Sequence, residues 1–122
     1  MAQHNLLGRQ GEDFAAAFLI QNGYLILERG WTHRHLELDI IAFKDNLLVI
    51  VEVKTRATAS YADPDDTISN AKLRKIYDAT EHYMEQKNIP WEVRYDLITV
   101  IAAGDPWGIE HLEGAFYPFM SS

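Results

Sequence analysis

Hydrophobic positions recur along this chain in two periods, and the switches between them divide it into elements. From Leu6 to Asn22, Phe14, Ala15, Phe18 and Leu19 fall on one stripe at helical spacing, and Asn22-Gly23 supplies a stop. Tyr24 to Glu28 reads as a strand closed by a turn at Arg29-Gly30. An extended run follows in which His33, His35, Glu37 and Asp39 share one side, leading into Ile40-Ile41-Ala42-Phe43. After Lys44-Asp45-Asn46 comes Leu47 to Lys54, so the two runs form an antiparallel pair around a tight turn. With Asp45-Asn46 as a two-residue loop, Lys44 pairs with Leu47, Asp39 falls opposite Glu52, and Glu37 falls opposite Lys54; a three-residue loop with a bulge shifts this by one.

Beyond Thr55-Arg56, the small, polar stretch from Ala57 to Ala62 suggests a loop leaving this pair, placed to act as a lid. Asp63-Pro64 and Ser69 compete as the N-cap of a second helix, which runs to about Asn88 and presents Leu73, Ile76, Tyr77, Thr80, Tyr83 and Met84 on its core face. Ile89-Pro90 breaks it. Val93 to Ile101 alternates as a strand, Gly104 to Gly108 turns, Ile109 to Leu112 forms a last short strand, and Ala115 to Met120 is an aromatic tail packing back on the body. The order helix, three strands, helix, two strands implies an α/β fold with a central mixed β-sheet flanked by helices.

Length and composition narrow this further. The 122 residues suit one domain spanning the whole chain, and 48% hydrophobic with 24% charged residues is ordinary for a globular protein. No apolar run approaches the roughly 20 residues of a membrane helix, and the polar opening Met1-Ala2-Gln3-His4-Asn5 is unlike a signal peptide. Absence of cysteine excludes disulfides and thiolate metal sites and agrees with a cytoplasmic location. A net charge of −7 argues against nonspecific nucleic-acid binding, but a few cations gathered at one cleft outweigh the total.

The chemistry concentrates on the central pair of strands. Hydrophobic neighbours suggest strands covered on both faces, where an ionised side chain is costly unless paired or metal-bound. Carboxylates at Asp39, Glu52 and Glu37 would repel one another, and a divalent cation resolves that repulsion. Mg²⁺ on Asp39, Glu52 and a carbonyl such as that of Val53 would acidify a bound water, with Lys54 orienting it or neutralising a phosphate oxyanion. Glu12, beside the buried stripe of the first helix, is a candidate fourth carboxylate. Against this stands a plainer reading: wet strand ends carrying charges, a Glu37–Lys54 cross-strand pair, and Glu12 as a first-turn acid favoured by the helix dipole.

Other residues favour plain roles. His33 and His35 suit a solvated strand entrance, since a strand spaces alternate side chains by about 7 Å and the four polar residues cannot share one ion. Trp31 is a core or rim anchor, Arg74 belongs to a solvated helix face, Asp96 pairs with a helix base, and Lys72 is the helix cation nearest the cleft. Gly8-Arg9-Gln10-Gly11 follows no strand and is no phosphate loop.

Five blocks carry a resemblance: Gly8 to Asp13, His35 to Ala42, Val51 to Arg56, Arg94 to Val100 and Ile109 to Phe116. In order and spacing they resemble the YraN-like proteins, a bacterial family placed with the Holliday-junction-resolvase-like branch of the PD-(D/E)XK nuclease superfamily. The resemblance implies a restriction-endonuclease-like α/β/α core. It matches Asp39 to the superfamily aspartate, Glu52 and Lys54 to the acid-x-lysine pair, Glu12 to the acid some members add from the first helix, and Glu37 to a supporting glutamate. The chain departs from many relatives at Leu36, where they have glycine, at Thr32, where they have arginine, and at Leu38, where the superfamily has proline.

The expectation is therefore a Mg²⁺-dependent nuclease, with Mn²⁺ as an alternative ion, or a nuclease-like binder of branched or otherwise nonstandard DNA. Asp39, Glu52 and Glu12 would hold metal, Lys54 would activate water, Glu37 would support them, and Arg9, Arg56 and Lys72 would approach phosphates. A homodimer is compatible with this. Two other readings stand beside it: a noncatalytic protein-interaction module on a nuclease scaffold, favoured by the acidic balance, and a transition-metal protein using His33 and His35.

Overall fold

The computed structural model describes residues 2–57 and 68–117, with side chains from residue 6 onward. Helix α1 (Ala2–Gln21) is followed by β1 (Leu25–His33), β2 (Leu36–Lys44), β3 (Leu47–Arg56), α2 (Asn70–Lys87), β4 (Glu92–Ile101) and β5 (Gly108–Leu112). The five strands form one sheet in chain order; β3 and β4 are parallel and the other neighbours antiparallel. A parallel pair needs a crossover, and α2 supplies it. The expected α/β architecture, a mixed sheet flanked by helices, is what the chain adopts.

Each sheet face buries its own apolar cluster. On one side Ala15, Ala16 and Leu19 of α1 pack on Ile40, Ala42, Val49, Val51, Ile98 and Val100. Ile76, Ala79 and Tyr83 of α2 pack on the other side against Leu38, Ile41, Leu48, Ile50 and Tyr95. Along β3 the odd residues 49, 51 and 53 face α1 and the even residues 48 and 50 face α2, the period of a strand covered twice. Gly11 lets α1 approach closely: a Cβ there would collide with the Thr55 hydroxyl on β3.

Local rules account for most boundaries. Asp45 and Asn46 both take positive φ (52° and 65°), the conformation of a two-residue type I′ turn, and Lys44 pairs with Leu47 as expected. Helix α2 begins at Ser69, whose hydroxyl accepts the Lys72 N–H, and ends at Asn88 in the left-handed region. Of the two competing caps Ser69 prevails; Asp63-Pro64, and the lid segment beyond Ala57, lie outside the described residues. Residues 118–120 of the aromatic tail also lie outside them, whereas Phe116 does pack back, 5.5 Å from the Tyr95 ring.

Tyr77, expected on the core face of α2, is exposed, and three expectations about the strands need correction. Arg29-Gly30 is no turn: β1 runs through it to His33, and Gly30 takes φ 60° inside the strand, as a glycine can. Residues 33–39 are not one extended run, because Arg34 (φ 59°) and His35 turn the chain from β1 into β2. His33 and His35 therefore share no strand face; His33 instead lies ring to ring with His82 of α2, centroids 4.5 Å apart. The third concerns register. The β2–β3 ladder stops at Ile40–Val51, so Asp39 and Glu52 are not a ladder pair, and Glu37 lies opposite Thr32 of β1 rather than Lys54.

That stop has a local cause. Arg29 pairs with Ile40 on the α1 side, where Arg29 meets Glu12, whereas Trp31 pairs with Leu38 on the α2 side. Between those pairs lie Gly30 and Asp39, where the alternation of both strands slips to the opposite face. Beyond the slip, β2 no longer pairs with β3, and the Asp39 carboxylate bridges the gap by accepting the Val53 N–H at 2.9 Å. A side chain thus replaces a lost backbone partner.

Candidate active site

Asp39 sits at the seam where β2 and β3 part, beside an open cleft of about 640 Å³. Leu7, Gly8, Arg9 and Glu12 of α1 line the cleft with Asp39, Val53, Thr55 and Ala57. The α1–Thr55 approach that Gly11 permits brings this helix end over the strand ends. Glu12 therefore faces the cleft, as its position beside the buried stripe implied.

Glu52 is 8% exposed and follows Ile50 on the α2 face of β3. Its carboxylate meets the Lys72 ammonium of α2 at 3.1 Å. Lys72, expected nearest the cleft among the helix cations, does reach the acids. Lys54 follows Glu52 on the same face by the strand period, and among the described residues it makes no ion pair or hydrogen bond. Asp39 and Glu52 are thus brought into electrostatic contact, with Lys72 rather than Lys54 against them.

The fields at this site act in one direction. Burial pushes the Asp39 carboxyl up to about 7, and repulsion from Glu52 and Glu37 adds to it against the Val53 hydrogen bond and Lys72. Glu12 is raised as well, first by burial and then by Asp39, while Arg29 opposes both. Burial alone would lower Lys72, but Glu52 overturns this, with Asp39 and Glu37 helping, and holds the ammonium above its ordinary range. Glu37 is exposed at the rim and acts on Asp39 and Glu12 through its charge. Arg9 lines the cleft and pairs with no acid among the described residues.

Oxygen donors of this kind fit a hard cation of the Mg²⁺ class, which is commonly held by one or two carboxylates and keeps several waters. Among the described residues no three His, Asp or Glu side chains are gathered into a ready cage. Asp39 and Glu52 would therefore hold such an ion as a pair, with Glu12 acting through its charge from α1 and solvent or substrate completing the shell.

A second buried carboxylate was only half anticipated. Asp96 on β4 is fully buried, and its partner is not a helix base but Arg94, two residues away on the same strand, which donates twice at 2.9 and 2.8 Å. His111 of β5 (2.8 Å) and the Gly114 N–H (3.0 Å) complete the set. Burial pushes Asp96 up, yet the hydrogen bonds from His111, Arg94 and Gly114 prevail and hold it below its usual value. The Arg94–x–Asp96 spacing was visible in the sequence as one strand face; the His111 contact, made across β4 and β5, was not.

A five-stranded mixed sheet between two helices, with acids at the parting ends of its second and third strands, has the architecture of a restriction-endonuclease-like core. The chain belongs to the uncharacterised protein family UPF0102, whose profile matches residues 11–100 and which is the YraN-like group the sequence blocks resemble. It is 46% identical over 118 residues to the UPF0102 protein of Bacteroides thetaiotaomicron, covering 97% of this chain and 98% of that one. Identity to the corresponding proteins of Flavobacterium psychrophilum and Phocaeicola vulgatus is 44% and 42%, covering 98% and 97% of this chain and 100% and 98% of theirs. No helix among the described residues is long and apolar enough to cross a membrane.

Proposed function

We propose that this protein is a divalent-metal-dependent nuclease, or a nuclease-like DNA binder, that acts on branched or otherwise nonstandard DNA. The observation that carries the reading is the repulsion that Glu52 exerts on Asp39, whose carboxylate lines an open cleft, an arrangement relieved by a cation. When bound, Mg²⁺ or Mn²⁺ would supply Lewis acidity and an acidified water. Asp39 and Glu52 hold the ion, and Glu12 adds charge from the α1 side. Asp39 is itself fixed by the Val53 N–H, so its carboxylate is aimed before any ligand arrives.

Cations around the acids suit a phosphate backbone. Arg9 on the cleft wall is available to a phosphate, and Lys72 and Arg56 flank the same strand end. Lys54, on the Glu52 face, would assist the attacking water once substrate fills the site. The net charge of −7 restricts nonspecific duplex binding, which favours a substrate chosen by shape.

The test mixes supercoiled, single-stranded and four-way-junction DNA with the protein and Mg²⁺ or Mn²⁺, beside Asp39→Asn. The expected result is metal-dependent cleavage, strongest on the junction and lost in the variant. If no substrate is cut and neither metal raises the melting temperature, the enzymatic reading fails.

A further inference from the structure

Glu52 and Asp96 are both buried acids, but they are satisfied differently. Asp96 accepts from four donor groups on three residues, whereas Glu52 has only Lys72 among the described residues. A structural ion pair repays desolvation when its remaining lone pairs are bonded and both partners are shielded. The Glu52–Lys72 pair meets neither condition. The Lys72 side chain is half exposed, and although its backbone is fixed by the Ser69 cap, a long flexible stem carries the ammonium.

We propose that Lys72 is an exchangeable counter-ion: its ammonium occupies the cation position at Glu52 and yields that carboxylate to a divalent metal. The proposal rests on the metal reading given above and deepens it. Lys72 also feels the charges of Asp39 and Glu37, so it offsets part of the charge of the acidic group while metal is absent. Ammonium and metal ion compete for the same carboxylate, and the lysine therefore sets how tightly metal binds. Once released, the ammonium stands at the edge of the acidic group, free to meet a substrate phosphate.

Competition and simple bracing predict different results. Mn²⁺ binding is measured by calorimetry, and thermal unfolding is followed with and without Mn²⁺, for the wild type, Lys72→Met, Lys72→Arg and Lys75→Met. Lys75 is an exposed neighbour on the same helix, so its variant controls for lost charge. Lys72→Met should melt several degrees lower without metal, because Glu52 loses its partner, yet bind Mn²⁺ about tenfold more tightly, equivalent to ~1.4 kcal/mol. Lys72→Arg should retain weak binding, and Lys75→Met should behave as the wild type. Lower melting of Lys72→Met with unchanged affinity makes the pair a structural brace and overturns the proposal. A wild type and variants that all ignore Mn²⁺ overturn the metal reading, and this proposal with it.

Discussion

Asp39 and Asp96 show how one residue type is put to opposite uses at the two ends of α1. Beneath the C-terminal half of the helix, Phe18 packs edge-on against His111, and His111 joins Arg94 and the Gly114 N–H around Asp96. Hydrogen-bond donors, the Arg94 guanidinium among them, surround that carboxylate, and its proton affinity falls. Beside the N-terminal half, Asp39 has one backbone donor and faces Glu52, Glu37 and Glu12, and its proton affinity rises. The first arrangement is complete without a ligand and fastens β5 to β4. The second holds more negative charge than Lys72 and Arg29 offset, which is the condition of a binding site rather than a staple.

The largest effect is expected at the staple. Asp96→Ala would leave Arg94, His111 and the Gly114 N–H without their shared acceptor, and removing one partner of a buried ionic network costs about 3–5 kcal/mol. Urea unfolding should register that loss. A cost below about 1 kcal/mol, the size of an exposed ion pair, would erase the distinction drawn between the two acids. Next comes the helix contact beside the cleft. Gly11→Ala drives a methyl group into the Thr55 hydroxyl, and overpacking of this kind costs about 1–3 kcal/mol. Part of the stability should return in Gly11→Ala/Thr55→Ala, because the second change removes the hydroxyl and the γ-methyl but keeps the Thr55 Cβ, 2.9 Å from the added carbon. If it does not, the close approach of α1 to β3 is not what places Glu12.

The contrast between the two acids was partly legible in the chain, and the parts that were hidden have a common cause. Short-range rules revealed the Asp45-Asn46 turn, the helix end near Asn88 and the even–odd faces of β3, and narrowed the start of α2 to Asp63-Pro64 or Ser69, since each depends on neighbours a few residues away. Glu12 on the inner side of α1 followed from helical spacing alone. The turn at Arg34-His35 did not, because arginine has no preference for positive φ and the hairpin imposes it. Gly30 was visible but ambiguous, a glycine being as much a bulge signal as a turn signal. Reading it as a turn concealed the slip that frees Asp39 from the ladder. The Lys72–Glu52 and His111–Asp96 contacts join elements far apart in sequence, and no periodicity encodes which cation reaches which acid.

If Asp39 is held against its electrostatic preference, neutralising it should stabilise the protein while removing activity. Asp39→Asn keeps an oxygen able to accept the Val53 N–H and deletes the charge, so metal-free stability at pH 8 should rise by ~1 kcal/mol, as often follows relief of a strained functional site. DNA cleavage should disappear in the same variant. A destabilised Asp39→Asn would mean that this carboxylate is a staple like Asp96.

The pH dependence gives the finest separation. Asp39 is raised from 3.8 in the unfolded chain to about 7, so the folded protein holds an extra proton within that window. Stability falls with rising pH where the folded state binds more protons, so this residue contributes a loss between pH 4 and pH 7, and the raised Glu12 acts in the same direction. Asp96 behaves oppositely. Its value is lowered, so its contribution is present above the ordinary carboxylate range and is lost as pH falls through its depressed value. Denaturant unfolding in EDTA from pH 4.5 to pH 8.5 should show a decline that flattens in Asp39→Asn, because Asp39, unlike Asp96, is raised into that range. An unchanged slope in the variant would move the decline to other groups and leave the raised proton affinity of Asp39 without support.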